Sequence, residues 1–316
     1  MRNVRFHPCS TVLCALALIV YAQPASAQPT APLTFVAIGD MPYRTMDFAP
    51  FETLLSSIDA ATPDVTIHVG DIKGGGTPCD DDTILSQRDY MDGLSGAVVF
   101  TPGDNEWTDC HRKSAGRFDP LERLAFLRAQ FFAAARSRGR APRELERQSD
   151  SGPEFAQMVE NARWSQSGVR FVTAHVVGSN NNLDRENPAA VAEYETRDAA
   201  NVAWIRETFA LAAAERAHAV VLAIHADLFL TMGIGGGFRN TLEAIGEGAK
   251  AFGGPVLFVH GDGHEYTIDT PFRDSLGNQL SNVFRLEVPG AADIRAVRVT
   301  IDPSAPTMFS FEVFGP

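Results

Sequence analysis

The sequence predicts an α/β fold. Short apolar, β-branched runs alternate with segments of helical spacing over the first two thirds of the chain, and three of those runs end in Gly-Asp: Gly39-Asp40, Gly70-Asp71 and Gly103-Asp104. Two later runs end in imidazoles, at His225 and at His260-Gly261-Asp262-Gly263-His264. Runs of this length suit buried strands, and the residues that close them offer oxygen and imidazole donors where loops begin. Five strand ends therefore bring metal-ligand chemistry to one edge of a sheet.

In chain order, strands are expected at 33–38, 64–69, 97–102, 169–177, 220–225 and 255–260, and helices at 51–61, 83–94, 121–137, 153–162, 197–217 and 240–251. The clearest helix is 197–217, where Val202, Ile205, Phe209, Ala212 and Ala213 form an apolar stripe. Strand–helix alternation implies right-handed crossovers and a mostly parallel sheet. After His264 the pattern changes to strands at 284–288, 294–301 and 308–314, read as an antiparallel finish in a second sheet packed on the first.

A chain of 316 residues with 45% hydrophobic content can bury a full core, and no linker or repeat divides it, so residues 28–316 are expected to form one domain. Residues 1–27 read as a signal peptide: Arg2 and Arg5 precede an apolar stretch, and Ala25-Ser26-Ala27 offers a cleavage site. The protein is thus expected to be exported, to the periplasm or beyond. The net charge is −12 before the two arginines are lost, which argues against binding to nucleic acid or anionic membranes. Cys9 and Cys14 would leave with the signal, and Cys79 and Cys110 remain as a natural disulfide pair in an oxidising compartment. Each follows a ligand-bearing strand end, so the bridge would clamp two loops of the site.

The ordered set Gly39-Asp40, Gly70-Asp71, Gly103-Asp104-Asn105-Glu106, His225 and Gly261-Asp262-Gly263-His264 resembles the calcineurin-like metallophosphoesterase family. That family carries Gly-Asp-x-His, Gly-Asp, Gly-Asn-His-Asp/Glu, a lone His and Gly-His-x-His, and the resemblance spans about residues 33–270. It implies a two-sheet αββα sandwich and two divalent ions, Mn, Fe or Zn, at the strand ends. Asp40 and His264 would hold the first ion, Asp71 would bridge both, and His225 would hold the second. The implied reaction is hydrolysis of a small phosphate mono- or diester, with a metal-bound hydroxide attacking phosphorus in line.

The chain departs from the family pattern at three places. Pro42 replaces the first His, so extra waters or Tyr43 would complete that ion; the Tyr that purple acid phosphatases supply after the second Asp would fall at Gly74. In the third motif either Asp104 or Asn105 is the ligand. Asn105 stands where the family has its proton-donating His, and an amide can hydrogen-bond to a leaving group without protonating it. Asp262 replaces a His in the last motif, with His260 as a possible stand-in on the same face and His111 as a candidate for the missing acid. Trading imidazoles for carboxylates favours harder ions such as Mn or Mg. It also admits an alternative, a catalytically degenerate scaffold that binds metal or ligand.

Several other features read as structural. His68 and His175 lie within strands, Trp107 is either a wall of the site or an anchor for the Cys110 loop, and Gly178-Ser179-Asn180-Asn181-Asn182 reads as a turn. Residues 233–238 form a glycine-rich rim, and Arg112, Lys113 and Arg117 form a basic cluster that either attracts phosphate or is simply solvated.

Overall fold

A computed structural model describes residues 1–2, 32–229 and 236–316, so the signal-peptide reading and half of the glycine-rich rim, residues 233–235, lie outside the described residues. Strand β1 (Leu33–Ile38) leads through helix α1 (Phe48–Ala61) to β2 (Val65–His68), α2 (Asp81–Gly93), β3 (Val98–Phe100) and α3 (Pro120–Phe131). The middle of the chain forms β4 (Glu146–Arg147), β5 (Ala162–Gln166), β6 (Val169–Thr173), α4 (Pro188–Glu215), β7 (Ala219–Ala223) and α5 (Arg239–Phe252). It closes with β8 (Val256–His260), β9 (Thr267–Asp269), β10 (Val283–Glu287), β11 (Ala296–Ile301) and β12 (Phe309–Phe314).

Among the described residues these strands make two sheets, one ordered β12-β11-β1-β2-β3 and the other β4-β5-β6-β7-β8-β10-β9. Strands β1, β2 and β3 run parallel, as do β6, β7, β8 and β10. The C-terminal tail does not build a sheet of its own: β10 joins β8 in the second sheet, whereas β11 and β12 return antiparallel beside β1.

Side-chain alternation sorts the core into layers. Phe35 and Ala37 of β1 face between the sheets with Ile67, Val99, Phe171, Val221, Leu257 and Val299. Val36 and Ile38, on the other face, meet Phe51, Leu54 and Ile58 of α1 and Leu124 and Leu127 of α3. Behind the second sheet, Val220, Leu222 and Phe258 pack on Trp204, Ile205 and Phe209 of α4 and on Ala244 and Ile245 of α5. The result is an αββα sandwich.

Three helices differ from expectation, one of them α3, which stops at Phe131 short of residue 137. The 153–162 segment has only a short 3-10 turn, Pro153–Phe155, before Ala162 enters β5. The long helix α4 begins at Pro188, ahead of the expected residue 197, where Asn187 accepts hydrogen bonds from Ala189 N and Ala190 N and the proline fits the first turn.

Candidate metal centre

The parallel strands of both sheets point their C-terminal ends the same way, and the loops that leave β1, β2, β3, β7 and β8 converge there. Asp40 N donates to Gly70 O at 2.9 Å and Asp262 N donates to Asp40 Oδ1 at 3.1 Å, so the loops hold one another directly. Backbone strain concentrates at this edge: Asp40, Asp71, Asp262 and His264 all have left-handed φ, between 54° and 71°. Glycine is needed at Gly103 and Gly261, because a Cβ there would run into the carboxylates of Asp71 and Asp40.

The ligand atoms fall into two groups that share Asp71. In each, atoms from Asp40, Asp71 and His264, or from Asp71, Asp104 and His225, lie within 4.8 Å of one another, a span that fits a metal ion. His225 Nε2 lies 3.1 Å from Asp104 Oδ1 and 3.4 Å from Asp71 Oδ1; His264 Nε2 lies 3.4 Å from Asp40 Oδ1. On the far side of the His225 ring, Nδ1 is 2.9 Å from the Val69 carbonyl, which orients the imidazole and fixes that nitrogen as the donor. Nε2 is thereby aimed at two carboxylates.

Electrostatics make the same point. Burial pushes the Asp71 carboxyl well above its usual range; His225 opposes this, while Asp104, Glu106 and Asp40 reinforce it. Burial disfavours the charged form of His225, yet the charges of Asp71, Asp104, Asp40 and Asp262 hold its pKa well above the ordinary value. For Asp104 burial acts upward and is the largest single influence, but the bond to and charge of His225, together with the contacts to Ser179 and Asp109, outweigh it and the carboxyl lies below its ordinary value. Asp40 Oδ2 is buried without a hydrogen-bond partner among the described residues. Buried carboxylates gathered around imidazoles, with an orphaned oxygen, form a donor set that fits divalent cations.

Tyr43, which precedes no Gly-Asp motif and reaches the site only through the turn after Asp40, proves central to the first group. Its hydroxyl donates to Asp71 Oδ2 at 2.8 Å and lies 3.3 Å from both Asp40 Oδ1 and His264 Nε2. A Cβ on Gly74 would lie only 3.3 Å from the Tyr43 carbonyl oxygen and 3.4 Å from its Cβ and Cγ, so Gly74 borders this residue closely.

Of the candidates in the third motif, Asp104 faces His225, whereas the Asn105 side-chain amide donates to Asp71 Oδ2 and its backbone N donates to Asp71 Oδ1 at 3.0 Å. Glu106 Oε1 accepts from Gly103 N at 2.9 Å and from Ile72 N, tying the second and third loops beneath the ligands. Asp262 belongs to neither three-residue group; its Oδ1 is 3.9 Å from His225 Nε2, and burial pushes its carboxyl up to about 6.

Two candidates are not brought to the ligands. His260 continues the outward face of β8 and packs on Phe258 at 5.1 Å, with Nδ1 2.8 Å from Gly261 O; Gly261 and the left-handed Asp262 turn the chain, so His260 and Asp262 do not share a face. His111 is exposed and its Nδ1 lies 2.7 Å from Thr108 O, directed into its own short turn. Trp107 is fully buried against His175 and so anchors its loop rather than walling the site. Cys79 and Cys110 form a disulfide, and both sulfurs approach Asn105 O, which places the clamp directly behind the third motif. A cavity of about 950 Å³ lined by Leu124, Arg128, Phe132 and Ala192 lies between α3 and α4, away from these strand ends.

No family model matches the chain, and no curated protein matches it. Solved structures do. The chain is similar to a dimetal phosphatase from Danio rerio at 12% identity, covering 90% of this chain and 99% of that one with a TM-score of 0.55. A purple acid phosphatase from yellow lupin (Lupinus luteus) seeds is 13% identical over 92% of this chain and 55% of its own, with a TM-score of 0.48. A phosphatase from Mycoplasma pneumoniae is 11% identical over 91% and 94%, with a TM-score of 0.45. The architecture and the first of these likenesses establish a calcineurin-like metallophosphoesterase fold.

Proposed function

We propose that this protein is an exported, metal-dependent hydrolase of phosphate mono- or diesters that works with two divalent ions. The observation that carries the reading is the pair of buried Asp/His groups sharing Asp71. Asp40, Asp71 and His264, with Tyr43 beside them, would hold one ion, and Asp71, Asp104 and His225 the other, with Asp262 at the rim. Such ions supply Lewis acidity toward a phosphoryl oxygen and activate water for in-line attack. The protein's own residues keep the arrangement rigid: Val69 orients His225, Glu106 ties two loops, and Asn105 holds Asp71. Asn105 can hydrogen-bond to a departing oxygen but cannot hand it a proton, so esters with good leaving groups are the preferred substrates. Export is supported by the N-terminal pattern of Arg2, Arg5 and the apolar stretch, and by the disulfide.

One observation favours a second reading, a binding protein without catalysis: His111, the sequence candidate for the acid, makes its ring contact with Thr108. Elemental analysis of protein purified without chelators, beside Asp71→Asn, tests the site; about two ions in the wild type, lost in the variant, are expected. A panel of aryl phosphodiesters with added Mn then separates the two readings. Turnover that falls as leaving-group pKa rises supports hydrolysis, and no turnover in a fully loaded protein supports binding alone.

A further inference from the structure

The disulfide loop brings a guanidinium to the second ligand group from two sides. Arg112 NH2 is 2.6 Å from Asp109 Oδ2, and it donates to Ser179 Oγ at 3.4 Å. Ser179 Oγ in turn lies 2.7 Å from Asp104 Oδ2 and 2.8 Å from Asp109 Oδ1. On its other edge, Arg112 NH1 and Asn105 Oδ1 flank the same point above Gly75, where a Cβ would touch both. Arg112 is thus one residue removed from Asp104 through Ser179, and it adjoins Asn105, the partner of Asp71. Asp109 is only 3% exposed, whereas the Arg112 side chain is 46% exposed. A buried carboxylate therefore fixes one edge of a half-exposed guanidinium, while NH1 stands beside Asn105 and Gly75 with no hydrogen-bond partner of its own among the described residues.

We propose that Arg112, positioned by Asp109 and Ser179, grips a non-bridging oxygen of the substrate's phosphate through NH1. The inference rests on the phosphoesterase reading and deepens it by assigning a phosphate contact that comes from no metal ligand. A planar guanidinium with one edge immobilised suits this task, since little rotamer freedom remains to be lost when the oxyanion arrives. The glycines at 74–76 leave the approach uncluttered, and Gly75 in particular allows Arg112 to stand beside Asn105. Lys113 and Arg117, the other members of the basic cluster, are exposed and take no part.

The test is calorimetric titration of inorganic phosphate into the Mn-loaded protein, with metal content and melting temperature measured on each sample. Arg112→Gln is expected to weaken phosphate binding about tenfold or more at unchanged metal content, the loss of one charge-assisted hydrogen bond. Arg112→Lys should recover part of the affinity, and Arg117→Gln should match the wild type. Arg112→Gln within twofold of wild type at equal metal content overturns the assignment and leaves the phosphoesterase reading intact. An Arg112→Gln protein that loses metal together with phosphate also overturns it, because the residue would then be holding loops. A loaded wild type that binds no phosphate refutes both.

Discussion

Replacement of Arg197 by Met should be among the most damaging substitutions remote from the ligands. The Arg197 guanidinium is fully buried; Nε lies 2.6 Å from Glu193 Oε1 and NH2 3.0 Å from Glu193 Oε2. NH1 donates to His175 O at 2.9 Å and to Asn181 Oδ1 at 2.5 Å, NH2 donates to Asn181 O at 3.0 Å, and the Trp107 ring lies 5.3 Å away. Methionine would fill most of the stem volume but leave Asn181 O and the Glu193 charge without their guanidinium partner, while His175 O keeps Asn201 Nδ2 and Asn181 Oδ1 keeps Val177 N. Breaking a buried ion pair costs about 3–5 kcal/mol. Glu193 keeps a bond from Asn182 Nδ2 and is 11% exposed, so water can relieve part of its charge and the expected loss is about 3–4 kcal/mol. The assay is urea unfolding of wild type, Arg197→Met, and Arg197→Met combined with Glu193→Gln. The double variant should be more stable than Arg197→Met, because it no longer buries an unpaired carboxylate. A loss below about 1 kcal/mol in the single variant would refute the view that this guanidinium organises the loop above the site.

Three further outcomes are expected. The Cys79 and Cys110 bridge spans 31 residues, so replacing both by Ser should lower stability by about 4 kcal/mol in the chain-entropy account; a reductant should destabilise the wild type but not the variant, and equal melting temperatures would contradict this. Metal retention should weaken as pH falls, beginning above about 6.5 and deepening near 6, because facing carboxylates keep His225 protonated above its ordinary pH, burial pushes Asp262 up to about 6, and a metal binds only deprotonated donors. Uptake should then release protons, seen as a buffer-dependent heat, and equal affinity at pH 5 and pH 8 would count against it. Tyr43→Phe removes a hydroxyl within 3.3 Å of Asp40, Asp71 and His264 and should reduce metal content to about the one ion held by His225; full retention would exclude Tyr43 from the site.

The strand ends were legible in the sequence because their signal is local: an apolar run buried on both faces, then Gly-Asp where the backbone must turn. That is why Asp40, Asp71, Asp104 and His225 could be named and why the structure places them together. Other features were illegible because tertiary contacts override the apolar pattern. Strand β5 carries a buried Arg163, stacked on Trp204 at 3.9 Å and paired with Glu146 and Glu207, so its charge hid a strand. The first half of α4 buries Arg197, Asp198 and Asn201, a polar face that reads as solvent-exposed until its partners are known. His260 was misplaced because period-two alternation was extended past the point where Gly261 and Asp262 leave the strand.

The turn at residues 178–182 shows how strain and polarity combine where neither is visible alone. Ser179, Asn180, Asn181 and Asn182 have consecutive left-handed φ values of 49°, 55°, 56° and 60°. For L residues each such position costs of order 1 kcal/mol, and runs of them are rare; asparagine tolerates the region best, which is the one clue the composition offered. The conformation persists because it is over-determined: Arg197 holds Asn181, Gly237 N donates to Asn180 Oδ1 at 3.0 Å, and Asn181 Nδ2 donates to Gly237 O at 3.2 Å. Its consequence is positional. Gly178 lies so close to Asp104 and Asp262 that a side chain there would strike both carboxylates, and Ser179 turns its hydroxyl onto Asp104 and Asp109. A relaxed right-handed turn would aim Ser179 elsewhere and release Asp104 from one of its two partners. The strained loop and the left-handed Asp40, Asp71, Asp262 and His264 thus serve one end, which is to hold Asp40, Asp71, Asp104 and the two imidazoles within one small cluster.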